Sequence, residues 1–282
     1  MIKCKIYIIK EEYKVIYRID NFTENRINPI TNCEYDESWI VLILTDSDEY
    51  QQLVGSNNEC AYTVKISRVK CKNWMMNIGD FISFNEANGK NIILVMSEKD
   101  YAQIRRVYCG HKHNEPILRD DEPSVLVHST TMKNWEKIKQ DGMLKCWNRL
   151  KTEDDTFETT PIGLKLGDPA EFSEYIMFGS GVSGEIVVNS KQKGEIIMDV
   201  DSEYITGARL YFDTSKIAKD GLLVRDGSHL KVKDVLRLEP YLIWAATWDV
   251  VGLESQISTP RIFAEQADKM FKKKTVREMR NK

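Results

Sequence analysis

The stretch 125–143, VLVHSTTMKNWEKIKQDGM, constrains the fold of this chain more than any other. Its first three residues are apolar, and this short run predicts a buried strand that delivers His128, Ser129 and Thr130 to a strand end. A helix is predicted from about Thr131 to Gly142, because glycine suits the left-handed conformation that ends many helices. A histidine and two hydroxyls between a strand and a helix start form a candidate ligand-binding corner.

Length and composition limit the class of protein. The 282 residues are enough for one large or two medium domains. The six cysteines include no Cys-x-x-Cys pair, and a strand-like KCKIYIIK directly follows Met1, so we expect reduced thiols and no signal peptide. No apolar run approaches the roughly 18 residues of a membrane span. These features predict a cytoplasmic protein with no membrane partner.

The net charge of −3 gives no general argument for nucleic-acid binding. The last fourteen residues, KMFKKKTVREMRNK, differ from the rest because they hold seven Lys or Arg and one Glu. This composition is most typical of a solubilising helix end. The alternative is an electrostatic arm for phosphate groups.

Residues 1–122 are predicted to form a β-rich, mainly antiparallel domain of unknown role, with target recognition as a candidate role. The β-branched and aromatic content of several short runs favours strands. Asn88-Gly89 predicts a hairpin between the last two of them. The predicted strands are 3–9, 13–19, 39–44, 61–66, 81–84 and 91–96, and the predicted helices are 46–54 and 97–109.

The polar segment 110–124, GHKHNEPILRDDEPS, is predicted to link this domain to a second one at 123–282. Cys109, His111 and His113 offer three possible zinc ligands within five residues. A structural zinc site normally has a fourth ligand, and the sequence shows none at a suitable spacing. Exposed linker histidines are therefore the favoured interpretation, with a zinc site as the alternative.

The second domain is predicted to mix strands with helices, which places the whole chain in the α+β class. The apolar run 241–248, YLIWAATW, predicts a central strand, and the chain from Thr259 onward predicts one amphipathic helix with Pro260 in its first turn. Further strands are predicted at 172–178, 184–188, 195–199, 209–212, 222–224 and 230–232, with a short helix at 215–220.

The chain contains no Walker A loop, no Gly-x-Gly-x-x-Gly after a strand and no Gly-x-Ser-x-Gly elbow. A Rossmann dehydrogenase, a kinase and a serine hydrolase are therefore not expected.

Two ordered sets of motifs resemble the C-terminal lobe of RNA 2′-phosphotransferases, which belong to the ADP-ribosyltransferase superfamily. The family opens this lobe with a strand ending in His-Gly-Thr, matched here by His128, Ser129 and Thr130 before a similar helix. Later come a strand with Asp, a short helix, Asp-Gly, an apolar pair with Arg, a turn, and Pro-Tyr. Here these are 210–213, 215–219, Asp220-Gly221, 223–225, 227–230 and Pro240-Tyr241, so the resemblance covers roughly 125–245.

The resemblance implies a C-terminal ADP-ribosyltransferase-like split β-sheet with flanking helices that binds NAD in a cleft. His128 would bond the cofactor ribose, supported by Ser129 and Thr130, and Arg225 would stabilise phosphate charge. Tyr175 is a candidate for stacking on nicotinamide, although an aromatic in an apolar strand is usually a core residue. In the family reaction an RNA 2′-phosphate attacks the ribose carbon and nicotinamide leaves. The phosphate then departs from the RNA as ADP-ribose cyclic phosphate, which leaves a 2′-hydroxyl on the RNA.

The chain also departs from the family pattern. Residues 1–122 lack the helical winged lobe and the Arg-His pair that handle RNA, and Arg149 is at best a remnant of a motif expected after the first helix. Mono-ADP-ribosylation of a nucleic acid or protein is therefore an alternative, with Glu239 or Glu185 as the catalytic acid. A non-catalytic binding or regulatory module on the same fold is a second alternative. The sequence does not predict the oligomeric state.

Overall fold

The computed structural model describes residues 7–11, 14–23, 25–49, 52–55, 61–154, 161–165 and 167–280. The chain forms two compact units. Unit 1 comprises 1–115, 163–172 and 224–230, and unit 2 comprises 116–162, 173–223 and 231–282. The first boundary between the units, after Glu115, lies inside the segment 110–124 that the sequence predicts as a linker. Two later segments, 163–172 and 224–230, return to unit 1.

Unit 1 contains the first six strands and the first two helices. The strands are β1 (Tyr7–Glu11), β2 (Lys14–Ile19), β3 (Trp39–Thr45), β4 (Gln52–Gly55), β5 (Tyr62–Ser67) and β6 (Asn91–Val95). The helices are α1 (Trp74–Ala87) and α2 (Glu98–Tyr108).

The strands of unit 1 form one sheet in the order β1-β2-β6-β3-β5-β4. The β2–β6, β6–β3 and β3–β5 pairs are parallel, and only the outer pairs β1–β2 and β4–β5 are antiparallel. The prediction of a mainly antiparallel domain is therefore wrong. The nearly continuous apolar sequence of β3, WIVLILT, is typical of a parallel strand covered on both faces.

Three local predictions in unit 1 are wrong. The predicted strand 81–84 belongs to α1, whose apolar residues Trp74, Ile78, Phe81 and Ile82 recur at helical spacing and are all buried. Asn88-Gly89 therefore follows a helix and does not close a hairpin. The predicted helix 46–54 is not formed, because its end belongs to edge strand β4; positions 50–51 lie outside the described residues, as do positions 3–6 of the first predicted strand.

The predicted second helix of unit 1 is confirmed. Its N-cap is Ser97, whose side chain accepts a hydrogen bond from the backbone N–H of Asp100. The interpretation of His111 as an exposed linker residue is wrong. Its Nε2 lies 2.7 Å from Oδ1 of Asp80, and both side chains are only 3% exposed. His113 Nδ1 lies 2.9 Å from the Ser83 hydroxyl.

Unit 2 contains most of the remaining elements. Its helices are α3 (Met132–Asp141), α4 (Trp147–Glu153), α5 (Ile162–Lys165), α6 (Ser183–Lys193), α7 (Thr214–Lys219) and α8 (Pro260–Arg280), with α5 at the boundary with unit 1. Its strands, in chain order and with β12 and β13 crossing the boundary, are β7 (Val125–Thr130), β8 (Met143–Lys145), β9 (Tyr175–Met177), β10 (Tyr204–Ile205), β11 (Ala208–Asp213), β12 (Leu223–Arg225), β13 (Leu230–Lys233), β14 (Val235–Arg237), β15 (Leu242–Ala246) and β16 (Ile257–Ser258).

The centre of unit 2 is an antiparallel sheet in the order β15-β11-β7. Helices α6 and α8 pack on it, and Tyr211, Val188, Phe263 and Phe271 are among the buried residues of the shared core. The rings of Tyr211 and Phe271 stack with centroids 4.3 Å apart. The strand β11, predicted at 209–212, is therefore the middle of the sheet.

The start of unit 2 agrees with the sequence pattern. Strand β7 leads into α3, which Thr131 caps through a hydrogen bond from Asn134 N–H, and Gly142 ends the helix with φ of 66°. The terminal helix from Pro260 is also confirmed.

Other predictions in unit 2 are wrong. The predicted strand 184–188 lies in α6, and 195–199 is irregular, with Met198 68% exposed. Residues 170–174 form a 3-10 helix, which shortens the predicted strand 172–178 to β9. Strand β15 is an edge strand and not a central one.

The structure is mixed α and β with several small sheets, in agreement with the predicted α+β class. Over the ranges that the structure describes, no helix has both the length and the apolar character needed to cross a membrane.

Candidate functional site

His128 lies on β7, at the edge of the three-stranded sheet of unit 2, opposite Leu210 of β11. Its Nδ1 is 3.0 Å from the carbonyl oxygen of Met177, so Nδ1 carries a proton and donates it to that oxygen. Burial lowers the pKa of His128 to about 4, which keeps the imidazole neutral at pH 7. In this tautomer Nε2 is an acceptor, and it makes no hydrogen bond to any residue that the structure describes.

The position of His128 is set by a junction between β7 and the chain that follows β9. The backbone N–H of Gly179 donates to the carbonyl of Val127 over 2.9 Å, which forms a single antiparallel bridge. Strand β9 itself pairs with β13, where Lys231 lies opposite Met177. One sheet of unit 2 thus touches another beside His128.

Ser129 connects the same strand to helix α6. Its hydroxyl donates to Oε1 of Glu185 over 2.6 Å, and Arg209 donates to the same oxygen through Nη1 over 3.0 Å. The hydroxyl of Tyr204 donates to Oε2 of Glu185 over 3.1 Å. The Glu185 side chain is completely buried and the Arg209 side chain is 2% exposed, so this is an internal ion pair.

Asp268 on α8 completes the network from the other side. It accepts from Arg209 Nε over 3.0 Å and from the Tyr211 hydroxyl over 2.7 Å. Burial raises the pKa of Glu185, and the Arg209 charge opposes that rise. Burial lowers the pKa of Arg209, but Glu185, Tyr211 and Asp268 more than offset it, so the guanidinium stays protonated. The network ties α6, β7, β11 and α8 together.

Two glycines allow the close packing around this network. A Cβ on Gly184 would lie 2.5 Å from the Ser129 hydroxyl oxygen and 3.0 Å from its Cβ. A Cβ on Gly207 would lie 1.8 Å from the backbone carbonyl oxygen of Thr130. Glycine at both positions is therefore required for the observed approach of α6 and of the β10–β11 connection to β7.

The structure places three of the residues that the sequence selects side by side on one strand, and a fourth on β9. His128, Ser129 and Thr130 are consecutive on β7, and Thr130 is buried at the end of the strand. Tyr175 lies on β9, two residues before the carbonyl that holds His128. The Tyr175 ring is buried, and the ammonium groups of Lys231 and Lys233 lie 4.8 Å and 5.7 Å from its centroid.

The other selected residues lie elsewhere. Arg225 belongs to unit 1, where its backbone N–H donates to the His113 carbonyl and its Nη1 to the Glu115 carbonyl. Arg149 is exposed on α4 and pairs with Glu153.

The two candidate catalytic acids, Glu239 and Glu185, lie in different surroundings. Glu239 is exposed and precedes Pro240 through a cis peptide, next to Tyr241, whose carbonyl accepts from Asp213 N–H. Asp213 pairs with Val125, the first residue of β7, so Glu239 lies at the end of the sheet where β7 begins. Thr130 lies at the other end of β7. Glu185 lies on a helix and is enclosed by its partners.

The sequence analysis missed Arg209 and Asp268. A signal for Arg209 was present, because a charged residue inside the apolar run ARLYF of a predicted strand needs a buried partner. Asp268 gave no comparable signal, since an acid on an amphipathic helix is ordinary.

Within the described ranges, no cluster of three or more His, Cys, Asp or Glu side chains has the arrangement of a metal site. Comparison with known proteins gives no match for this chain among protein-family models, curated proteins or solved structures.

Proposed function

We propose that unit 2 is an NAD-dependent transferase domain with an ADP-ribosyltransferase-like split sheet, and that it moves an RNA 2′-phosphate to NAD with release of nicotinamide. The observation that carries the proposal is the fixed tautomer of His128. Its Nδ1 is committed to the Met177 carbonyl, so Nε2 is available to accept a hydrogen bond from a ribose hydroxyl. The NAD ribose supplies the electrophilic carbon in this reaction.

The surroundings of His128 support a binding site at this place. The strand that carries it meets the β9 segment at a bridge between Val127 and Gly179, and beside this junction we place the cleft that the resemblance implies. Ser129 fixes the backbone of β7 through its bond to buried Glu185. A donor or acceptor held this firmly positions a substrate without reorganisation.

The two glutamates favour a phosphate as the nucleophile. A hydroxyl or amine acceptor gains from a carboxylate that removes its proton, whereas a phosphate is already ionised at pH 7. Glu185 is enclosed by three hydrogen-bond donors, and Glu239 lies at the opposite end of the sheet from Thr130. Phosphate transfer requires neither glutamate as a base, so we propose it ahead of mono-ADP-ribosylation.

The experiment is nicotinamide release from NAD in the presence of a short RNA with one internal 2′-phosphate, measured by liquid chromatography. The matched substrate is the same RNA with an ordinary 2′-hydroxyl. We expect release with the first RNA and none with the second. Release with the second RNA, DNA or a protein, accompanied by a mass increase of that acceptor, would move the assignment to ADP-ribosylation.

Two substitutions test the roles of the two ring nitrogens of His128 separately. His128→Asn keeps a donor near the Nδ1 position and removes the Nε2 acceptor, and we expect release to fall roughly 10- to 100-fold. His128→Gln keeps a polar group near the Nε2 position and retains more activity. His229→Ala, which removes an imidazole from unit 1, is the control and should leave release unchanged.

A non-catalytic binding module is the second candidate. The observation that favours it is the placement of Arg225 in unit 1. There its backbone N–H and its Nη1 donate hydrogen bonds to the backbone carbonyls of His113 and Glu115. This reading predicts that calorimetry detects NAD or RNA binding while no nicotinamide is released with any acceptor. Absence of both binding and release would contradict both candidates.

A further inference from the structure

Helix α8 has an apolar face packed on the core and a basic face turned away from it. Phe263, Ala264, Ala267 and Phe271 are buried on the first face. Lys269, Lys272 and Lys273 follow the i, i+3, i+4 spacing that places residues together on one side of a helix, and all three are exposed. We call these three lysines the basic face.

The charge of the basic face is not neutralised by its surroundings. None of its three lysines forms an ion pair with a side chain in the described part of the chain. With Glu265 and Asp268 they line an open cavity of about 460 Å³. Two acids line the cavity with the three lysines: Glu265, and Asp268, whose carboxylate also accepts hydrogen bonds from Arg209 and Tyr211. Three ammonium groups therefore face two carboxylates, one of which is shared with Arg209.

We propose that the basic face binds the phosphate backbone of single-stranded RNA and thereby holds the acceptor. The assignment of this RNA as an acceptor rests on the proposed function, whereas binding itself does not. The sequence continues with Arg277 and Arg280, which extends the basic stretch along the same helix. Because the whole chain has a net charge of −3, the attraction is local and depends strongly on salt.

The packing of α8 favours RNA over a membrane surface. A helix that lies on a membrane inserts an apolar face between the lipids. The apolar face of α8 is covered by the core of unit 2, where Phe271 stacks on Tyr211. The outward side of α8 carries the three lysines, with Ile262 and Met270 as its exposed large apolar residues. These two are eight positions apart and do not form a continuous apolar face, so this side of the helix suits a polyanion, and its lysines give no base-specific contacts.

The experiment measures fluorescence anisotropy of a labelled 12-nucleotide RNA with the full chain, without NAD, at several salt concentrations. The variant is Lys269→Gln with Lys272→Gln and Lys273→Gln. The control carries the same charge change on three other helices, Lys137→Gln with Lys193→Gln and Lys219→Gln, which are all exposed. We expect the clustered variant to bind RNA at least tenfold more weakly. The slope of log affinity against log salt concentration should decrease in magnitude by about 2, because each phosphate contact on a single strand contributes roughly 0.7 and three contacts are lost.

Three results would overturn the proposal. The first is no RNA binding by the wild-type protein at low salt. The second is equal weakening of RNA binding in both triple variants, which would indicate an effect of net charge alone. The third is binding of anionic-lipid vesicles to the wild-type protein but not to the clustered variant, with RNA bound equally by both. The binding assay contains no NAD, so it is independent of the nicotinamide-release assay. RNA binding at the basic face without nicotinamide release in that second assay would disprove the proposed reaction and leave the RNA-binding surface established.

Discussion

Ser129 and Arg209 lie directly opposite each other in the β7–β11 pair, and both donate hydrogen bonds to the same oxygen, Oε1 of Glu185. One buried carboxylate from α6 thus receives a neutral donor from one strand and a charged donor from the next. This arrangement holds α6 against β7 at the residue after His128. The ion pair therefore stabilises the backbone on which the candidate site is built.

The first prediction concerns this shared carboxylate. Glu185→Ala leaves the Arg209 charge buried with Asp268 as its remaining acidic partner, and we expect a loss of about 3–5 kcal/mol in the free energy of unfolding. Glu185→Gln keeps an oxygen acceptor and should cost less. Urea denaturation measures both, and adding Arg209→Met to Glu185→Ala should recover part of the loss. A double variant as unstable as the sum of the two single changes would contradict the coupling.

The sequence predicted the start of unit 2 well because its signals are local. The Thr131 cap, the helical spacing of α3 and the left-handed Gly142 each depend on residues within a few positions of one another. The same holds for Ser97 and α2 in unit 1. His128, Ser129 and Thr130 were therefore placed on the correct strand before their partners were known.

The elements that the sequence analysis missed depend on distant partners. In α6 the apolar run Ile-Val-Val suggested a strand, but only Val188 of that run is fully buried, next to Asn189, while Val187 is 38% exposed. The buried residues Glu185, Val188 and Asn189 follow helical spacing. The sequence does not show this spacing as an apolar pattern, because the first of the three positions is a charged residue. The partner of Ser129 is 56 positions away, so no local pattern predicts it.

The second prediction compares two glycines beside β7. Gly184→Ala places a methyl group against the Ser129 side chain, and we expect it to lower the free energy of unfolding by about 1–3 kcal/mol. Ser129→Ala by itself removes the hydrogen bond to buried Glu185, but it also removes the atom nearest to the new methyl group. Gly184→Ala should therefore cost less in the Ser129→Ala background than in the wild-type protein. Thermal unfolding of the single and double variants measures the relief.

Gly207→Ala is the contrasting change. Its methyl group would meet the Thr130 carbonyl, which belongs to the backbone, so no side-chain truncation relieves the contact. We expect a larger loss than for Gly184→Ala and no recovery with Ser129→Ala. Equal recovery of both glycine variants would show that the two contacts are not the separate packing constraints described above.

The third prediction is the pH dependence of stability that His128 contributes. Burial lowers its pKa to about 4 from an ordinary value of 6.5, so between these values the unfolded chain binds a proton that the folded chain does not. The contribution is fully present above pH 6.5 and decreases as pH falls to about 4, by about 2–3 kcal/mol. Urea denaturation of wild-type protein and His128→Asn at pH 7, 6, 5 and 4.5 measures the difference between them. Because the carboxylates titrate in both proteins, the difference isolates His128, and a constant difference across this range would mean that His128 is protonated equally in the folded and unfolded chains.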